Sequence, residues 1–175
     1  MKKVVKFGGS SLASAEQFKK VGDIIRADKS RRYVVPSAPG KRSSSDTKVT
    51  DMLYSCYNLA IREKKFTSLL DEIHARYNEI IDGLNLELSL DHEFDMIREN
   101  FGKKIGRDYA ASRGEYLNGI IMANYLGFCF IDAAEVIRFH EDGSLDDEKT
   151  NELLSLRLEG EEFAVIPGLD RKSVV

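Results

Sequence analysis

A lysine, two glycines and two hydroxyls cluster near the start of the chain, as Lys6-Phe7-Gly8-Gly9-Ser10-Ser11. The β-prone pair Val4-Val5 precedes them and an amphipathic stretch follows. That order suits phosphate chemistry. Glycines let backbone N–H groups approach an anion closely, and a following helix N-terminus adds a positive dipole. Lys6, at the end of the strand, brings a point charge to the same space. The same residues also fit an ordinary turn beside a solvated lysine, and a lone glycine pair is a weak motif.

Two further segments carry chemistry. Ser112-Arg113-Gly114-Glu115 flanks a glycine with opposite charges. Glu115, kept ionised, would hold a substrate ammonium, with Gly114 permitting close approach; the alternative is a helix surface with a packing glycine. A buried carboxylate needs a cation or donors to meet it. Thr50-Asp51 opens a helix after a polar loop, where it either caps the first turn or donates hydrogen bonds to a bound carboxylate. Ser43-Ser44-Ser45 reads as a mobile loop, and Asp146-Asp147-Glu148 as a solvated helix start rather than a metal site.

The elements that must position these residues follow from periodicity. Residues 3–7 predict a buried strand, and 14–28 a helix with Phe18, Val21, Ile24 and Ile25 on one face, capped by Ser14 with Gln17 three residues on. Tyr33-Val34-Val35 predicts a second strand, stopped by Pro36. The turn-rich loop 37–46 is long for a compact domain, and loops of that kind are often functional. Helices are expected over 48–63, 67–83, 91–104 and 107–126, the last apolar nearly all round in its second half and hence buried on several sides. Gly127 ends it. Strands are expected at 128–131 and 163–166, separated by a turn at 132–135 and a helix over 146–158. Alternating strands and helices predict an α/β sandwich with a mainly parallel sheet. In such sheets ligands bind beyond the carboxyl ends of the strands, where the Gly8–Ser11 and Ser37–Asp46 loops fall.

Composition bounds the rest. A chain of 175 residues with 42% hydrophobic residues supports one domain with a substantial core. A net charge of −3, from 26 basic and 29 acidic residues, leaves no basic footprint for nucleic acid or anionic lipid. No apolar run approaches the roughly 18 residues that span a bilayer. Cys56 and Cys129 lack CxxC spacing, and Cys129 in Phe128-Cys129-Phe130-Ile131 reads as a buried thiol. His74, His92 and His140 form no metal-ligand pattern. The expected compartment is the reducing cytoplasm.

The motifs, taken together, resemble one family. Lys6-Phe7-Gly8-Gly9-Ser10-Ser11 is similar to the KFGG(T/S)S opening of aspartate kinases. Val34-Val35-Pro36-Ser37-Ala38-Pro39-Gly40-Lys41 resembles their VVxSAxxG loop, and Thr50-Asp51-Met52-Leu53 their T(N/D)xL helix start. Ser112-Arg113-Gly114-Glu115 resembles their SxGE motif, and Val165-Ile166-Pro167-Gly168 their VxPG strand end. The resemblance implies the amino-acid-kinase three-layer α/β sandwich. It implies transfer of the ATP γ-phosphoryl, with Mg²⁺, to the side-chain carboxylate of L-aspartate, the first step toward lysine, threonine and methionine. It implies that Lys6 stabilises the transferring phosphoryl and that Gly8, Gly9 and Ser10 cradle phosphates. Ser37 and Thr50 would contact aspartate, and Glu115 would hold its α-ammonium. A homo-oligomeric full-length parent is also implied.

The likeness stops at Gly168. The family's later GRGGSD, TTD-like and YxxDPR-like segments are not found in Leu169-Asp170-Arg171-Lys172-Ser173-Val174-Val175. The expected organisation is therefore residues 1–168 as the N-terminal part of the kinase domain, with 169–175 an unrelated or frameshifted tail. Such a piece is expected to have little activity alone and to aggregate through exposed strand edges. Rival readings are another member of the wider family, acting on glutamate, acetylglutamate, carbamate or UMP, or a non-catalytic assembly module derived from a kinase.

Overall fold

The computed structural model describes residues 1–168; the expected tail at 169–175 lies outside the described residues. Its strands are β1 (Lys3–Phe7), β2 (Arg31–Pro36), β3 (Cys129–Phe130) and β4 (Ala164–Val165). They form one sheet in the order β1-β2-β4-β3, with every pairing parallel. The helices are α1 (Ala15–Arg26), α2 (Val49–Ile61), α3 (Thr67–Gly83), α4 (Asp91–Gly102), α5 (Arg107–Leu126), α6 (Ala133–Val136) and α7 (Asp147–Arg157). The α/β layering expected from alternation is present. The four-residue helix α6 stands where only a turn was expected, capped by the Asp132 side chain on the Ala134 N–H.

Two apolar clusters sandwich the sheet. The larger joins Phe18, Leu53, Ile73, Tyr77, Phe94 and Ile121 from α1–α5 with Val34 and Val165 of the sheet. The predicted stripe on α3 (Leu70, Ile73, Tyr77, Ile80, Ile81) is buried throughout. Each such side chain withdrawn from water stabilises the fold by about 1.5–3 kcal/mol. The smaller cluster covers the other face under α6 and α7, around Ile131, Val136 and Ala164. That second cover does not extend to β1. Val5 and Phe7 pack on the main core, whereas Val4 remains 66% exposed and Lys6 is exposed on the opposite pleat.

Caps mark the helix ends. Ser14 accepts the Gln17 N–H at the start of α1, as expected. Gly127 closes α5 at φ 70°, a left-handed conformation that costs glycine little. Cys129 departs from expectation: it is only half-buried, because β3 is an edge strand, while Cys56 on α2 is fully buried.

Candidate functional site

The cleft forms at the carboxyl ends of β1 and β2, where a parallel sheet delivers its loops. After β1 the chain makes a single 3-10 turn, Gly9–Leu12, before α1. After β2, the Ser37 N–H continues the ladder by donating to the Phe7 carbonyl at 3.0 Å. The two loops then touch. The Gly40 N–H donates to the Gly9 carbonyl at 2.7 Å. A Cβ on Gly9 would lie 2.7 Å from the Ala38 oxygen, and one on Gly40 would lie 2.6 Å from the Gly9 carbonyl carbon. Neither residue has positive φ, so close backbone approach, not turn geometry, demands these glycines. Gly8 differs, since a Cβ there would meet nothing within 4 Å. The fold does not need glycine at position 8, which leaves its bare backbone facing open space.

Helix α5 forms the opposite wall. Gly114 packs against the loop, where an added Cβ would come 2.7 Å from the Ala38 Cβ. Its lack of a side chain therefore serves protein packing, the second of the two readings its sequence allowed. Glu115 follows it and lines the cleft. Buried Asn118, one turn on, donates from Nδ2 to the Ser37 carbonyl at 2.7 Å, locking α5 to the end of β2. Sequence reasoning missed Asn118, which sits in an otherwise apolar run. The strand end Pro167-Gly168 is tied to the end of β2, with the Gly168 N–H donating to the Pro36 carbonyl at 3.1 Å.

The resulting cleft has a volume of about 530 Å³. Gly9, Ser10, Ser37, Thr50 and Glu115, all singled out in the sequence, line it together. Lys41 and Lys48 line it too; Lys48 carried no sequence signal. Lys6 and Gly8 are not among the lining residues; Lys6 lies upstream on the edge strand, exposed. Thr50 stands in the first turn of α2 and makes no cap: Lys48 occupies the capping position without a side-chain hydrogen bond. The first N–H of α2, on Val49, is satisfied by the Pro39 carbonyl at 3.1 Å. A basic edge (Lys41, Lys48), a carboxylate (Glu115) and the hydroxyl residues Ser10, Ser37 and Thr50 thus line the same cleft. Such a site suits a zwitterion or a phosphate-bearing anion.

The flanks of the loop from 41 to 47 are tied, while Ser43, Ser44 and Ser45 between them stand exposed. Asp46 accepts from the Arg42 backbone N–H at 2.8 Å and from Arg42 Nε at 3.0 Å. Those hydrogen bonds, opposed by desolvation and aided by nearby Arg76, hold the Asp46 carboxyl well below the ordinary carboxylate range. Among the described residues no three His, Cys, Asp or Glu side chains gather as a metal site, and no helix is long and apolar enough to cross a membrane.

Comparison with known proteins gives the chain a family and a fold. The model of the amino acid kinase family matches residues 1–175. Aspartokinase 3 of Bacillus subtilis is 46% identical over 88 residues, half of this chain and 19% of that protein. The chloroplastic aspartokinase 1 of Arabidopsis thaliana is 31% identical over 158 residues, 85% of this chain and 27% of that protein. The crystal structure of the aspartate kinase of Clostridium acetobutylicum superposes with a TM-score of 0.91 at 46% identity, over 96% of this chain and 39% of its own. E. coli aspartokinase III in complex with aspartate and ADP shares the fold, with a TM-score of 0.71 at 21% identity over 96% of this chain and 40% of its own. The chain thus spans well under half the length of these relatives.

Proposed function

Because this chain belongs to the amino acid kinase family, we propose that its cleft is the acceptor and phosphate-facing part of an aspartate kinase site. The whole protein would transfer the γ-phosphoryl of ATP to the side-chain carboxylate of L-aspartate, giving 4-phospho-L-aspartate. One observation carries the reading: Ser37, Thr50 and Glu115, from three separate segments, line one cleft with Gly9, Ser10 and Lys41. Glu115 pairs with the α-ammonium, and Ser37 and Thr50 donate to a carboxylate. The bare turn at Gly8, Gly9 and Ser10 presents N–H groups to phosphate. Lys6, exposed beside that turn, adds the cation that offsets charge on the transferring group.

The chemistry asks little else of the protein. A carboxylate with a reference pKa of about 3.9 is ionised at neutral pH and needs no general base. Catalysis then reduces to alignment and to neutralising two approaching anions. Mg²⁺ fits this reading as an ion carried by the nucleotide phosphates, since it binds through one or two carboxylates plus phosphate oxygens. The same reading places the protein in the cytoplasm, as a homo-oligomer in lysine, threonine and methionine synthesis. Residues 1–168 are then the N-terminal part of the kinase domain, with little turnover of their own.

The test is titration of the 175-residue chain with L-aspartate, glutamate, acetylglutamate and carbamate, alongside a hydroxamate assay with Mg-ATP. Aspartate binding that falls at least tenfold in Glu115→Gln supports the proposal. Preference for another acceptor moves the chain elsewhere in the family, and a folded chain that binds none of them refutes it. Strong hydroxamate formation abolished by Lys6→Ala would overturn the low turnover proposed for the chain alone.

A further inference from the structure

Arg76 lies outside the cleft, on the buried side of α3, with 3% of its side chain exposed. Its guanidinium collects the loop at both ends. Nη1 donates to the Thr47 carbonyl at 2.6 Å, and Nη2 donates to the Gly40 carbonyl. Nη2 also stands 3.1 Å from Asp46 Oδ2. The residues that follow those two carbonyls are Lys41 and Lys48, the basic edge of the cleft. One planar fork therefore fixes where both lysines leave the backbone. Lysine could not do this, since its ammonium is a point charge without the fork geometry.

The next residue on α3 acts on the opposite wall. Tyr77, fully buried, donates its hydroxyl to the Gly114 carbonyl at 2.8 Å, immediately before Glu115. Consecutive side chains of one helix thus hold the basic and the acidic walls. Burying a guanidinium is costly unless its N–H groups are met; here the loop carbonyls and Asp46 meet both Nη groups, while the buried Nε has no hydrogen-bond partner. A cation held at that cost solely to fill the core would be replaceable by an apolar side chain. We infer that Arg76 is a positioning residue, which sets the spacing of Lys41 and Lys48 against Glu115 and so the affinity of the cleft for its anionic ligand. The inference rests on the reading of the cleft as the aspartate site.

The experiment uses Arg76→Lys and Arg76→Ala in the 175-residue chain, with Arg98→Ala as a surface control. Amide exchange is followed residue by residue, and L-aspartate is titrated by backbone shifts of Ser37, Lys41 and Thr50. In Arg76→Lys the amides of residues 41–48 should exchange at least tenfold faster, while β1, β2 and α5 keep their protection. Aspartate affinity should fall about tenfold. In Arg76→Ala, added guanidinium ion should restore both, a rescue that a general packing role would not show. Should Arg76→Ala unfold, Arg76→Lys alone decides. Unchanged loop exchange in Arg76→Lys, or faster exchange without any loss of affinity, overturns the inference. Failure of the unmutated chain to bind aspartate refutes the functional reading instead, and the positioning role is then judged by loop exchange and its guanidinium rescue.

Discussion

Replacing Gly40 by alanine would set a Cβ 2.6 Å from the Gly9 carbonyl carbon and 2.7 Å from the Ser10 nitrogen. Both are backbone atoms, so no rotamer change relieves the clash. The two loops must part, which stretches the 2.7 Å hydrogen bond from the Gly40 N–H to the Gly9 carbonyl. Overpacking of this kind costs about 1–3 kcal/mol. Losing most of the hydrogen bond adds roughly 0.5–1.5 kcal/mol. The expected destabilisation is about 1.5–4.5 kcal/mol, a drop in Tm of roughly 3–18 °C for a chain of this size. Gly8→Ala is the matched control. Its Cβ would meet nothing within 4 Å and its φ is −77°, so stability should hold or rise by about 0.4–1 kcal/mol through a less flexible unfolded chain. Urea unfolding followed by far-ultraviolet circular dichroism measures both. The reasoning fails if Gly40→Ala unfolds within 0.5 kcal/mol of the parent by that assay, a difference of roughly the size expected for an unremarkable surface substitution. It also fails if Gly8→Ala is the more damaging of the two.

Asp46→Asn should destabilise the chain at neutral pH, because the depressed carboxyl of Asp46 stabilises the fold only while ionised. A lowered folded pKa contributes fully above the ordinary value of 3.8, and the contribution fades as pH falls below it. Melting curves of parent and variant should therefore converge as the solution is acidified below that value. Burial pushes the Cys56 thiol up to about 12, so a thiol reagent at pH 8 should label Cys129 alone in the folded chain and both cysteines after unfolding. Tyr77→Phe keeps the ring but removes the hydroxyl's bond to the Gly114 carbonyl, which retains its partner within α5; it should cost about 0.5–1.5 kcal/mol in urea unfolding.

Much of the fold was legible. Helix α3 begins and ends where its apolar period says, and Ser14 caps α1, because both signals are local. Helix α6 was hidden, since four residues hold too few positions to show a period. The convergence of Ser37, Thr50 and Glu115 was legible only through resemblance; nothing local ties α2 to α5. The contact between Gly9 and Gly40 is a long-range fact, and each glycine alone reads as a turn. Arg76 was invisible for a related reason. Its neighbours His74, Ala75 and Glu79 make it look like part of a solvated face, and only the folded loop reveals what its guanidinium touches. Cys129 misled because an apolar run implies burial, whereas an edge strand leaves one side open.

The fork that gathers the Gly40 and Thr47 carbonyls also separates length from shape. Between those anchors the exposed tip, Ser43-Ser44-Ser45, sets no distance in the cleft. Lengthening a flexible loop twofold costs only about 0.6 kcal/mol in closure entropy. The tip is thus a natural insertion port, where an epitope or a fluorescent peptide could be spliced beside the cleft without shifting its walls.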